Sequence, residues 1–391
     1  MSFGEMPIAN GFIKAKDIKK EKYFNLNPVF CKNCYTFQLE YQPNARAMFH
    51  DHYAFFSRQS KSMQIHFRKY AHWIFTKYIK STDPFIVELG SNDGILLEYF
   101  AKKGIRHLGV EPSANVAKEA KKYGVNSIIE FFNFNQAKKI KKKYGLADVI
   151  TASNVMCHIP NLNNLALGID KLLNEKGVLI FEDPYLGDMI KKVSYDQIYD
   201  EHVFIFSALS VQNIFKKINF EIIDLLPQKT HGGSMRYVLG RKGIHKQKKI
   251  VQSTLNKELK LGLHQKNTYL NFKKNCENSK KDLINLLIKE KNKGKDIAAY
   301  GATSKSTTIL NYCNIDKTLI KFISDTTKIK QNKLSPGMHI PVKSYEYFKK
   351  NQPDITVLFA WNHFKEIMSK ETEYNKNGGQ WIIHVPKVKK L

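Results

Sequence analysis

Positions 199 to 202 read Tyr199-Asp200-Glu201-His202, placing a phenol, two carboxylates and an imidazole within four residues. An imidazole with an ordinary pKa of about 6.5 suits proton abstraction at neutral pH, so His202 is the candidate base. Glu201 would orient the ring or stabilise its charge, and Tyr199 would donate a hydrogen bond to an oxyanion formed beside the reacting carbon. A second stretch, Val87-Glu88-Leu89-Gly90-Ser91-Asn92-Asp93-Gly94, sets glycine and small polar residues after a strand, where bare backbone can approach a ligand.

Spacing narrows the ligand. A dinucleotide loop wants G-x-G-x-x-G, whereas the glycine after Gly90 is Gly94 and acidic Glu88 precedes the turn. In Gly109-Val110-Glu111-Pro112, Glu111 ends the next strand, where a carboxylate can accept two hydrogen bonds from ribose hydroxyls. Glu88 has no pyrophosphate to repel and can face an amino group. A zwitterionic nucleoside bearing a sulfonium, S-adenosylmethionine, meets both demands, with Glu88, Gly90, Ser91, Asn92, Gly94 and Glu111 as its expected neighbours.

The elements that must position these residues alternate. Strands are expected at 85–89, 107–110, 127–130, 148–152 and 178–182, and helices at 95–102, 114–122, 135–143 and 208–217, the rhythm of a doubly wound α/β sheet. Strands at 220–226 and 235–240 follow each other without a helix and are expected to pair as a hairpin. A second αβ segment runs from residue 296, with strands at 296–300, 320–324, 355–359 and 381–385. Its turn, Gly301-Ala302-Thr303-Ser304-Lys305-Ser306, opens a helix whose amides and Lys305 can meet a phosphate, with Asp325 ending the next strand. The alternative is an αβ unit that only packs against the first. The expected organisation is an N-terminal accessory or lid region (1–80), a cofactor-binding domain (81–242), Lys-rich linking helices (243–293) and a C-terminal Rossmann-like substrate-nucleotide domain (294–391).

Composition excludes other classes. Of 391 residues, 42% are hydrophobic and 25% charged, so the chain can bury a core. No apolar run approaches the roughly 20 residues of a membrane span, and no signal-peptide stretch follows Met1, which points to the cytoplasm. The net charge is +28, and residues 241–295 alone hold 16 Lys and Arg against 4 Asp and Glu. There Val251, Leu255, Leu259 and Leu263 recur every four residues, which predicts amphipathic helices with solvated lysine faces. A nucleic-acid groove would interleave aromatics or arginine with the lysines, so no nucleic-acid partner is expected, although a basic nucleic-acid-binding protein is the rival from another class. The remaining positive excess suits an anionic substrate such as a nucleotide diphosphate.

These motifs resemble the class I methyltransferases and, more narrowly, the sugar-nucleotide C-methyltransferase family. The broader likeness includes Asn154-Val155-Met156-Cys157-His158-Ile159-Pro160 after the fourth strand, and the narrower one rests on Leu108-Gly109-Val110-Glu111-Pro112-Ser113-Ala114-Asn115-Val116-Ala117, Tyr199-Asp200-Glu201-His202, His231-Gly232-Gly233-Ser234, Pro336-Gly337-Met338-His339-Ile340-Pro341 and Ala360-Trp361-Asn362. The resemblance implies a seven-stranded Rossmann-like sheet ending in a hairpin, and C-methylation of a nucleotide-linked keto-deoxysugar through an enolate. It adds Asn154 to the cofactor neighbours and His158, His231, Gly232 and Tyr53 to the substrate neighbours, with Tyr199, Glu201 and His202 in the proton transfer. O-methylation of a sugar or glycan precursor, with His202 deprotonating a hydroxyl, stays open, as do monomer and homodimer.

Cys31-x-x-Cys34 is half of a tetrahedral zinc site. The resemblance implies an earlier C-x-x-C, which would fall before residue 1, so zinc is not expected to be held by this chain.

Overall fold

The computed structural model describes residues 1–49 and 56–391, so the expected substrate neighbour Tyr53 lies outside the described residues, together with His50 and His52. Seven strands form the central sheet: β1 (Phe85–Leu89), β2 (Arg106–Val110), β3 (Ser127–Ile128), β4 (Ala147–Ser153), β5 (Leu173–Pro184), β6 (Phe220–Gln228) and β7 (Ser234–Arg241). Their order is β6-β7-β5-β4-β1-β2-β3. The five strands β1 to β5 run parallel, while β7 is antiparallel to both β5 and β6. Every residue of β1 is buried, as a strand covered by helices on both faces must be. The hairpin is as expected, with Leu225 opposite Tyr237 and Gln228 opposite Ser234.

Two local expectations differ. Only Glu98–Ala101 of the helix expected at 95–102 is regular, because the chain is still turning after Gly94, whose φ is +71°. An unanticipated helix, Leu162–Leu172, starts at Asn161, whose side chain accepts from the Asn164 amide, and buries Leu165, Ile169 and Leu172. The Asn cap and that apolar spacing were its signal.

The C-terminal sheet repeats the plan. Strands β8 (Ile297–Tyr300), β9 (Ile323–Ser324), β10 (Val342–Lys343), β11 (Ile355–Leu358), β12 (Gln380–Ile383) and β13 (Lys389–Lys390) lie in the order β10-β9-β8-β11-β12-β13, and only β13 is antiparallel. In both sheets the first strand sits between the second and fourth.

The basic segment forms helices Lys249–Lys260 and Lys266–Asn292. Leu259 is 42% exposed and does not share the buried face of Val251 and Leu255; the buried residue is its neighbour Glu258, which accepts from the amides of Ala208 and Leu209 and from Tyr185 Oη. A spacing of four drifts about 40° per step around a 3.6-residue helix, so the third apolar residue at that spacing leaves the stripe. Leu263 is buried beyond the helix end.

The N-terminal region is built into the rest of the chain. Its strands Pro28–Phe30 and Phe37–Leu39 form a three-stranded sheet with Phe204–Ile205, from the segment that follows His202. Phe3, Met6, Phe12, Phe37 and Leu39 share one core with Phe272, Leu287, Ile297 and Val357. Among the described residues no helix is long and apolar enough to cross a membrane.

Candidate active site

A cavity of about 920 Å³ opens between the carboxyl edges of the two sheets. Glu88, Gly90, Ser91, Asn92 and Glu111 line one side. Gly90 turns there with φ +63°, and a Cβ would lie 2.3 Å from Val155 Cγ2, so only glycine brings the loop this close to the end of β4. Glu111 Oε2 accepts from the Asn92 amide at 2.9 Å and Oε1 from the Ser113 amide at 2.9 Å, leaving a further lone pair on each oxygen. Glu88 is 3% exposed and its Oε2 has no protein partner among the described residues; burial raises its pKa well above the ordinary carboxylate value, with Asp93 and Glu111 adding to the effect. An orphaned carboxylate in a cradle of bare backbone, beside a carboxylate at a strand end, fits the ammonium and ribose of S-adenosylmethionine.

The candidate base lies on the facing wall. His202 Nδ1 sits 2.7 Å from the Gln197 carbonyl oxygen, and Nε2 sits 2.7 Å from Tyr199 Oη. A carbonyl can only accept, so Nδ1 carries the ring proton and the bare Nε2 accepts the phenol hydrogen. Burial, reinforced by His158, His231 and Lys305, holds the imidazole well below its ordinary pKa, so the ring is neutral. This corrects the expectation of an ordinary value. It also reassigns the orienting group: the ring is held by Gln197, whereas Glu201 Oε1 accepts from Asn10 Nδ2 at 2.8 Å. Burial raises both Glu201 and its neighbour Asp200.

His158 stacks on His202 with ring centroids 5.4 Å apart, and Phe49 stacks on His158 at 5.6 Å. Burial pulls His158 to about 3, and its Nε2 lacks a partner among the described residues. Beneath it, Asp183 accepts from the Cys157 amide at 3.1 Å and is pushed up to about 8 by burial.

The C-terminal unit supplies the remaining wall, with Gly301, Lys305 and Asp325 on the cavity. Asp325 repeats the geometry of Glu111: Oδ2 accepts from the Ala302 amide at 2.7 Å and Oδ1 from the Thr327 amide at 2.7 Å. Lys305, on helix Ser304–Tyr312, is buried with its pKa lowered by burial, and its ammonium lies 5.0 Å from the Trp361 ring centroid. Trp361 Nε1 donates to Asp196 at 2.6 Å. His231 Nε2 accepts from Asn154 Nδ2 at 3.1 Å, so these two cavity residues hold each other.

Two candidates stand behind the wall. Gly94 packs against Val125 and Ala120, and Gly232, with φ +88°, lies under Trp361, where a Cβ would meet Cη2 at 2.1 Å. Cys31 and Cys34 lie in the N-terminal unit, and among the described residues no third His, Cys, Asp or Glu joins them in a metal-sized cluster, so the described ligands do not make a zinc site. Sequence reasoning missed Asn10 and Gln197. Asn10 lines the cavity, and nothing in its local pattern announced it; Lys330, noted just beyond Asp325 in the sequence, lines the cavity as well.

A parallel sheet in this order, closed by an antiparallel hairpin and carrying the Gly90 turn and Glu111 at its carboxyl edge, defines a class I S-adenosylmethionine-dependent methyltransferase. Three family models match the chain: "Putative zinc binding domain" over residues 1–49, "Methyltransferase domain" over 63–225 and "C-methyltransferase C-terminal domain" over 229–386. The chain is 31% identical over 388 residues to C-methyltransferase NovU of Streptomyces niveus, covering 99% of this chain and 92% of that one. It belongs to the family of S-adenosylmethionine-dependent C-methyltransferases that includes NovU. Solved structures with looser likeness include the PH0226 protein of Pyrococcus horikoshii (TM-score 0.38, 14% identity, 48% of this chain and 95% of that one). Another is magnesium protoporphyrin IX methyltransferase of Synechocystis (TM-score 0.34, 14% identity, 46% and 79%).

Proposed function

We propose that this C-methyltransferase acts on a nucleotide-linked keto-deoxysugar in the cytoplasm, methylating a carbon next to the ketone. The observation that supports it best is the neutral His202, its unprotonated Nε2 accepting from Tyr199, in one cavity with the Glu88 and Glu111 carboxylates and the buried Lys305 ammonium.

Glu111 and the Gly90 turn hold the cofactor's nucleoside and Glu88 its amino group; when bound, S-adenosylmethionine supplies an electrophilic methyl. Lys305, the amides opening helix Ser304–Tyr312 and Lys330 take the diphosphate of the substrate. His202 Nε2 removes the proton from the carbon beside the ketone, the C–H electrons pass into the enolate, and Tyr199 moves its hydroxyl hydrogen from Nε2 to the enolate oxygen. Gln197 keeps Nδ1–H in place throughout.

The test is a panel of keto nucleotide sugars incubated with enzyme and S-adenosylmethionine, read by mass for the gain of one methyl group. Deuterium wash-in at the reacting carbon without cofactor identifies the enolate. Methyl transfer to a hydroxyl without wash-in would make the enzyme an O-methyltransferase.

A further inference from the structure

We infer that Asn10 is a positioning residue of the active site, through which the N-terminal unit holds the Glu201 carboxylate of the catalytic loop. Residues 9 to 13 form a wedge between that loop and the C-terminal unit. The Ala9 amide donates to Asp200 Oδ1 at 3.2 Å, its carbonyl accepts from Thr307 Oγ1 at 2.8 Å, and Asn10 Nδ2 donates to Glu201 Oε1 at 2.8 Å. Ile13 exchanges backbone hydrogen bonds with Leu334 at 3.3 and 2.8 Å. Beyond the wedge, Glu21 receives the Gly337 amide at 2.9 Å and His339 Nε2 at 2.7 Å, which fastens the following segment to the C-terminal unit. On the other side of the loop, the Leu39 amide donates to the Val203 carbonyl at 2.9 Å. Residues 199 to 203 are thus gripped by the N-terminal unit from two directions, and Asn10 is the gripping side chain that also lines the cavity.

The chemistry follows from Glu201's surroundings. It is buried beside Asp200 on the same loop, with His202 next in the chain, the Cys157 thiol behind and the Lys330 ammonium approaching from the C-terminal unit. Two adjacent buried carboxyls compete to keep a proton. The Asn10 amide donates to one oxygen of Glu201, favours its ionised form and fixes which oxygen is committed to the protein. A family model named for zinc binding covers residues 1–49, yet here that unit's reach into catalysis is an amide.

The test compares wild type, Asn10→Ala, Asn10→Asp and a control, Asn27→Ala, whose side chain donates to Glu40 at an exposed edge of the same unit. With Asn10→Ala, S-adenosylmethionine affinity and melting temperature stay at wild-type values and kcat falls on the order of tenfold. Asn10→Asp, nearly isosteric but a further acid beside two others, loses more, and Asn27→Ala behaves as wild type. The inference rests on the proposed reaction only for kcat, so an activity-free readout accompanies it: infrared titration of the protonated carboxyl band that Glu201→Gln removes. Its midpoint rises in Asn10→Ala. An unmoved midpoint overturns the inference whatever the activity. So does a fall in kcat that comes with matching losses of melting temperature and cofactor affinity. If wild type methylates no keto sugar, the substrate proposal fails and the infrared midpoint still decides the role of Asn10.

Discussion

The ammonium of Lys305 donates a hydrogen bond to the carbonyl oxygen of His231 across 3.1 Å, joining the helix that opens the C-terminal sheet to the hairpin that closes the methyltransferase sheet. This buried cation at the seam contacts one carbonyl and an aromatic face, with the Asp196 carboxylate near enough to favour its charge. Lys305→Met is expected to raise KM for a nucleotide sugar at least about tenfold, while S-adenosylmethionine binding by calorimetry stays unchanged. Equal losses for both ligands would show that Lys305 holds the units together and nothing more.

The histidines sense that cation. Burial is the main cause of the low pKa of His202 and of His231, which is pulled to about 3, and the Lys305 charge adds to both. A base with a depressed pKa is neutral and competent above it and is lost as pH falls through it. The acid limb of kcat/KM, which reports the free enzyme, is therefore expected well below the imidazole value of about 6.5. A bound diphosphate offsets the Lys305 charge, so the limb of kcat is expected at higher pH than that of kcat/KM. Coincident limbs near the ordinary imidazole value would refute the desolvated base.

His202→Ala removes the proposed proton acceptor without touching the cofactor wall. Methyl transfer is expected to fall by about 10²-fold or more, with S-adenosylmethionine affinity retained. Wild-type turnover would remove His202 from the mechanism.

Glu111→Ala has the opposite signature. It strips the acceptor from the Asn92 and Ser113 amides; if Glu111 also holds the cofactor ribose as proposed, S-adenosylmethionine binding is expected to weaken by roughly 1.5–3 kcal/mol, measured by calorimetry. An unchanged affinity would place the ribose elsewhere.

Cys31 and Cys34 offer two thiolates where structural zinc takes four ligands. The 391-residue chain is expected to contain far less than one zinc per molecule by elemental analysis. Stoichiometric zinc would require two further ligands, with His50 and His52 the first to substitute.

Short-range signals made much of the fold legible in the sequence alone: the β1 strand running into the Gly90 turn, Glu111 at the next strand end, the hairpin from residue 220 to 241, and the Gly301 turn opening a second αβ unit. Each is encoded within a few residues, by hydrophobic period or by the backbone freedom of glycine. The Tyr199 to His202 cluster was visible as a set of chemical groups, but its wiring was not. That Gln197, not Glu201, holds the imidazole depends on how the loop folds back, and the low pKa of His202 depends on walls from three separate parts of the chain. Asn10 meets Glu201 across 191 positions, and Phe204–Ile205 completes a sheet begun near residue 28. Strands of two or three residues carry no readable period, and a single amide at a buried seam has no local signature. Only packing decides such contacts, because burial and hydrogen-bond satisfaction are properties of the assembled units and not of any one segment.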